Sequence, residues 1–405
     1  MKLVKPAAAL LSIVLLAGCW DRLELNELSI TAATAVDWDE KQQWVVSYQV
    51  VIPSAISGAM GNMKGGASQS PIIVYSTHGP TIRGAIQQST FESPRKLFFS
   101  HNRVVVVSAE AARRGLEPLI DSYLRNSESR ETVDVLVTEE SARSILRQLM
   151  QIQTIPGEGI YETLRTENRL FSALPSVNMY ELALQLLGSS HNAVIPEILI
   201  SGTPEVTNNQ MMGNTSLPSK LRLGRLAVLK EGKLAGWLSQ DEALGVAFLR
   251  NKVERTNISA PCKATEPTLE TSVRVERADT KITPVRRGDE LTLQARIVAN
   301  GTLLETNCSL DLEESEALRQ LESQVRQRII EVVRSGYSAT QQLQADVIGL
   351  ADRVHRKYPK LWHEVEPDWA ARYAQIPLNL QVEFTLKRVG LSTKSFKKQF
   401  GQEED

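Results

Sequence analysis

The stretch RVVVVSAEAARRGLEPLIDSYLRN, residues 103–126, sets the fold. Four consecutive valines, Val104 to Val107, bounded by polar residues, describe a strand with no solvent face. Such a strand belongs in the middle of a sheet that is covered on both sides. Ser108 stands at an N-cap position, and Leu116, Leu119, Ile120, Tyr123 and Leu124 recur at helical spacing, which predicts a helix over Ala109 to Asn126. The unit then repeats. Val133 to Thr138 is a second apolar run and Ser141 to Met150 a second helix, an order that argues for a mixed sheet flanked by helices.

Upstream, Leu28, Ile30, Ala32, Thr34 and Val36 alternate with their neighbours, as do Trp44, Val46, Tyr48 and Val50 beyond an acidic turn, a hairpin pattern that Pro53 ends. Ser54 to Ser70 has loop composition, Ile72 to Ser76 is a short strand, and Pro80 opens a helix over Thr81 to Thr90. Beyond the central repeat come helices at Tyr161 to Leu170 and Val177 to Leu187, then a strand at Ala193 to Ile200. Ser201 to Ser219, with Pro204, Pro218, three Asn and two Gly, is the sharpest composition break inside the chain, and a domain boundary is expected there.

The second half opens with a hairpin, Gly224 to Leu229 and Leu234 to Leu238, followed by a helix to Arg250 capped by Ser239, Asp241 and Glu242. Strands are predicted at Lys252 to Ile258, Glu270 to Arg277 and Glu290 to Ala299, with Asn300-Gly301 as a turn into Leu303 to Leu310. From Asp311 a long helical period runs through Leu321, Val325, Ile329 and Val333, with Gly336 as a bend and Gln341 to Arg356 continuing it. Trp362 and Trp369 read as core anchors, and Ile376 to Arg388 as a last strand. The expected class is α+β in several domains. A mixed α/β domain at 19–200, with room for two subdomains, is joined by a linker at 201–219 to a C-terminal domain at 220–393, an antiparallel sheet on long helices, with a polar tail at 394–405.

The first residues, MKLVKPAAALLSIVLLAGC, follow signal-peptide anatomy: Lys2 and Lys5, an apolar run from Ala7 to Leu16, then Leu16-Ala17-Gly18-Cys19, a lipobox. Small residues before Cys19 admit a peptidase, and only a thiol can form the thioether to diacylglycerol. Residues 1–18 are therefore expected to be a signal peptide and Cys19 the lipidation site, holding the protein on the extracytoplasmic face of a membrane.

Removing 1–18 from a chain of 405 leaves 387 residues, enough for more than one core. Lys+Arg then falls from 46 to 44 against 47 acidic residues, a balance that argues against a nucleic-acid partner. Cys262 and Cys308 lie in neighbouring strand candidates in a compartment that permits disulfides, which leaves open either a bridge or two partly buried thiols. The five histidines, His78, His101, His191, His355 and His363, fall on separate elements without metal spacing, and no nucleophile elbow, Walker loop or dinucleotide fingerprint follows a strand. Neither a cofactor nor a catalytic residue is nominated. Arg95, Lys96 and Arg103 around Phe98 and Phe99 are read as a solvated strand entrance, with a phospholipid or partner contact as the alternative.

Cys19-Trp20-Asp21-Arg22-Leu23-Glu24-Leu25, Phe99-Ser100-His101-Asn102-Arg103-Val104, Ala111-Ala112-Arg113-Arg114-Gly115, Gly232-Lys233-Leu234-Ala235-Gly236-Trp237-Leu238, Ala345-Asp346-Val347-Ile348-Gly349 and Pro359-Lys360-Leu361-Trp362 stand in this order. Together they resemble the C-subunit family of spore nutrient germinant receptors, the GerAC/GerBC-type lipoproteins. The resemblance implies a non-enzymatic lipoprotein, acylated at Cys19, on the outer face of the inner spore membrane. There it would assemble with a polytopic A subunit and a transporter-like B subunit and serve germination in response to nutrients. A lipid-anchored extracytoplasmic solute-binding protein is the competing expectation.

Overall fold

The computed structural model describes residues 24–60, 70–262, 269–288, 290–309 and 311–390, with Ser395 and Gln399. The signal segment, Cys19, residues 61–69 of the expected loop and nearly all of the 394–405 tail lie outside the described residues. Nine of the described strands form one sheet: β1 (Leu28–Trp38), β2 (Trp44–Val51), β3 (Ile72–Gly79), β4 (Lys96–Phe98), β5 (Val104–Ser108), β6 (Asp134–Thr138), β7 (Asn192–Gly202), β8 (Ser219–Lys230) and β9 (Lys233–Leu238). Their order is β3-β2-β1-β5-β6-β7-β8-β9, with β4 beside β1. The centre, β1, β5, β6 and β7, is parallel, while β2 and β3 on one side and β8 and β9 on the other add on as antiparallel hairpins.

The valine run sits where its composition requires. Val104 to Val107 are fully buried in β5; Val104 and Val106 face one apolar cluster, Val105 and Val107 another. Ser108 Oγ accepts from Ala111 N at 3.3 Å and caps the next helix. That helix is shorter than its period suggested: Ala109–Arg114 stops at Gly115, whose φ of 125° breaks it, and Glu117–Leu124 is a separate helix. Ser54 onward is also not all loop, because Pro53–Met60 is a helix with proline in its first turn.

The 201–219 segment does not divide two sheets. β7 and β8 pair from Asn192↔Lys230 to Gly202↔Ser219, so the segment is the connection of a long hairpin and the first sheet continues to Leu238. Its composition marks a surface excursion, which looks the same in sequence whether it joins two strands or two domains. It is also pinned: Val206 is buried, and Gln148 Oε1 accepts from Val206 N at 3.0 Å and Ser219 Oγ at 3.2 Å.

The second sheet is β10 (Thr256–Pro261), β11 (Leu269–Arg287), β12 (Glu290–Thr306) and β13 (Leu378–Arg388), in that order. β10, β11 and β12 are antiparallel as expected, but β13 lies parallel to β12, since the helices between them carry the chain back to its starting end. Asn300-Gly301 is not a turn. β12 runs through it, and the hairpin reverses at Gly288, φ 61°. Gly301 is needed for close approach: a Cβ there would meet Arg274 O at 2.5 Å.

The helix Ser315–Gln342 passes through Gly336 without interruption and packs against the helix Gln240–Leu249. Leu350–Lys357, Pro359–Val365 and Trp369–Tyr373 follow, with Trp362 and Trp369 buried and their rings 5.1 Å apart. One apolar cluster extends from Ala33 and Leu136 under the first sheet through Phe248 to Val325, Trp362 and Phe384 in the second half. The two halves therefore share a core.

Candidate functional site

The residues singled out in the sequence are scattered. Cys262 and Cys308 form a disulfide, Cα atoms 5.4 Å apart, tying the end of β10 to the segment after β12. In the basic cluster Lys96 pairs with Glu128, and Arg103 Nε lies 2.9 Å from Glu158 Oε2, so two of its three cations already hold carboxylates of this chain. His78 Nδ1 is 3.2 Å from Asp39 Oδ2, His191 Nδ1 is 2.9 Å from Leu186 O, and His355 stacks on Trp362. Among the described residues no group of three or more His, Cys, Asp or Glu is placed to hold a metal ion. No described helix is long and apolar enough to cross a membrane.

Sequence reasoning gave no role to any buried carboxylate, and most of them serve as scaffold pins. Asp37, at the end of β1, accepts from Ala142 N at 2.8 Å and Arg143 N at 3.0 Å, fixing the start of the helix Ala142–Arg147; burial raises its pKa against those bonds. Glu197 on β7 is buried and takes a fork from Arg225, Nε at 3.0 Å and Nη2 at 2.7 Å, while the same guanidinium lies 4.4 Å from the Trp237 ring. Asp134 is buried beside Ser176 Oγ at 2.8 Å, and burial pushes its carboxyl up to about 6. Glu167 accepts from Ala173 N and Leu174 N, both 3.0 Å, and burial lifts it to about 7.

One feature built from both halves is a cavity of about 310 Å³ between the helix Met179–Leu187 with the start of β7 and the turn at 346–353. The Ala345-Asp346-Val347-Ile348-Gly349 segment shapes its wall. The chain leaves the long helix through Gln344, φ 52°, and enters the helix Leu350–Lys357 through Gly349 in the left-handed region, φ 72°. Asp346, fully buried, accepts from Leu350 N at 3.0 Å, Ala351 N at 2.6 Å and Trp369 Nε1 at 3.3 Å. Asp352 Oδ1 reaches across to Ser189 N at 2.9 Å and locks this wall to the first half. Arg250, Lys252 and Arg353 bring positive charge to the same space, and burial holds the Arg250 and Arg353 guanidiniums below the usual arginine range. Ser189 Oγ lies 3.2 Å from His355 Nδ1 beside this wall, but neither side chain lines the cavity, and the described lining is suited to binding.

Comparison with known proteins places both halves together. Residues 21–200 match the spore germination protein N-terminal domain, and residues 224–390 match the spore germination B3/GerAC-like C-terminal domain. The chain is 28% identical to spore germination protein KC of Bacillus subtilis (strain 168) over 399 residues, covering 96% of this chain and 97% of that protein. It is 20% identical to spore germination protein B3 of the same organism over 386 residues, covering 93% and 95%. The crystal structure of the GerBC protein has the same fold, with a TM-score of 0.54 at 14% identity over 91% of this chain and all of that one. With both domain matches in order over most of its length, the chain belongs to the GerAC-like family of spore germination proteins.

Proposed function

We propose that this protein is the lipid-anchored C subunit of a nutrient germinant receptor, working on the extracytoplasmic face of the inner spore membrane as a binding and assembly component. The observation that carries this reading is the pair of germination-domain matches, 21–200 and 224–390, which leave little of the chain unaccounted for. Relatives named as spore germination proteins A3, B3 and KC support a place among receptor subunits, here with A and B membrane partners. The lipobox supports the anchor: diacylation of Cys19 would give two buried chains, where one holds only marginally. Tethering raises the local concentration of the body beside its membrane partners, so weak contacts suffice. The engagement of Asp37, Asp346 and Glu197 in helix starts and an ion pair supports a scaffold and not a catalyst.

Two experiments test the reading. Spores lacking the protein should fail to respond to one set of nutrients yet germinate with nutrient-independent agents, and a normal nutrient response would refute it. Cys19→Ala should shift the protein out of the membrane pellet, and continued incorporation of labelled fatty acid into that variant would refute the anchor.

A further inference from the structure

Polar side-chain atoms withdrawn from water in this fold nearly all find partners, and two of the exceptions among the described residues line one cavity. Asn192, only 6% exposed, has an Oδ1 with no donor, and Arg250 has a shielded Nη1 with no acceptor. Both belong to the junction cavity of about 310 Å³. Arg250 stands at the C-terminal cap of the helix Gln240–Leu249, where the helix dipole favours a cation, yet only its backbone N–H bonds to that helix, to Val246 O at 2.9 Å. Among the described residues its guanidinium makes no ion pair. Arg353 lines the same space; its Nη1 donates to Ile348 O at 3.2 Å and Gly349 O at 2.7 Å, and it too lacks a carboxylate.

The carboxylates at hand are committed. Asp346 already accepts three hydrogen bonds, Asp352 holds Ser189 N, and Glu181, the acid closest in effect to Arg250, closes the capping box of its own helix on Asn178 N. Asp346 and Asp352 line the same space and their charge acts on the guanidiniums, Asp346 on both and Asp352 on Arg353, but the three cations Arg250, Lys252 and Arg353 outnumber these two acids. Leaving a shielded guanidinium unpaired is costly, and a bound anion removes that cost.

We propose that the junction cavity binds a small molecule bearing an oxyanion, carboxylate or phosphate, whose oxygens take the free donors of Arg250 and Arg353. A hydrogen-bond donor on the same molecule would satisfy Asn192 Oδ1. The volume, at the lower end of small-molecule sites, fits a compound of few heavy atoms. Leu184, half exposed at the rim, offers it one apolar contact. The site belongs to the folded body, so it does not depend on membrane attachment or on the receptor reading.

The test uses the full chain in detergent, at ionic strength fixed with chloride, and follows calorimetric titration and the thermal unfolding midpoint with acetate, glycolate, inorganic phosphate and the neutral isostere acetamide. Acetate or phosphate should bind and raise the midpoint while acetamide does not, and the preferred anion identifies the class of ligand. Arg250→Gln and Arg353→Gln should each weaken that anion about tenfold or more, with the exposed Arg372→Gln unchanged. Glycolate, which adds a hydroxyl to acetate, should bind more tightly than acetate, and Asn192→Ala should erase that difference. If neither anion shifts the wild-type midpoint relative to acetamide, the proposal is overturned whether or not the variants fold. Equal anion binding by folded Arg250→Gln and wild type overturns it as well.

Discussion

Replacing Gly336 with alanine sets two effects of opposite sign against each other. In an open helix interior the change gains about 1 kcal/mol, because glycine loses more backbone freedom on folding. At Gly336 the new Cβ would stand 2.5 Å from Glu242 O and 3.0 Å from both the Cα of Gly245 and Val246 N. Carbon contacts settle at about 3.5–4.0 Å, and every obstacle is main chain, which cannot rotate aside. The helices Ser315–Gln342 and Gln240–Leu249 would have to part by most of an ångström, loosening the buried layer of Leu244, Phe248, Val332 and Val333. Overpacking of that kind costs about 1–3 kcal/mol, at the upper end here because two backbones meet, so the net loss is about 1–2 kcal/mol. Gly245→Ala should behave alike, since its Cβ would collide with Val332 O. Urea unfolding followed by circular dichroism should show a lower midpoint with unchanged slope. Gly213→Ala is the control: nothing lies within 4 Å of its Cβ, and it should be neutral or slightly stabilising. A Gly336→Ala protein as stable as wild type would refute the account of this crossing.

Three further outcomes follow from the buried groups. Burial lifts Glu167 from 4.5 to about 7, so the folded state holds this proton more tightly than the unfolded one. Its contribution to stability is complete below pH 4.5 and is lost as the pH rises through about 7. Glu167→Gln, which keeps an acceptor for Ala173 N and Leu174 N, should flatten that fall and stabilise the protein at neutral pH; an unchanged pH slope in chemical unfolding would count against it. Asp346→Ala strands the N–H groups of Leu350, Ala351 and Trp369 and should cost about 2–4 kcal/mol, with Asp346→Asn milder; a loss in urea unfolding of under about 1 kcal/mol would mean that these bonds are not held. Replacing both Cys262 and Cys308 by serine frees a loop spanning 46 positions and should lower stability by about 2–4 kcal/mol, against no change with reductant if the thiols are already free.

Where the physics is local, the fold could be read from the chain. The valine run had to be a doubly covered strand because neither face carried a polar residue, and the capping box at Ser239 and Glu242 announced its helix within four residues. Two of the misreadings share one cause, which is that glycine and turn-forming residues have more than one use. Asn300-Gly301 looks like a hairpin turn but serves the close passage of three strands, and Gly336 looks like a bend but serves a helix crossing. Each depends on a neighbour distant in sequence that no local window contains.

The candidate site lay out of reach for the same reason, carried further. In sequence Arg250 is an ordinary cation at the end of a capped helix, and Asn192 an ordinary polar residue at the start of a strand. They acquire meaning only where the turn at 346–353 closes over both, and that turn sits there because Asp346 pins the helix after it and Asp352 ties it to Ser189. Asn192 falls in the N-terminal family segment, Arg250 and Arg353 in the C-terminal one. Neither segment alone makes the cavity, and the shared apolar cluster beneath it leaves the segments little freedom to move apart. A molecule whose oxyanion is held by Arg250 and Arg353 on one side and whose donor is held by Asn192 Oδ1 on the other would therefore strengthen the contact between the halves, so its binding and their docking are thermodynamically linked.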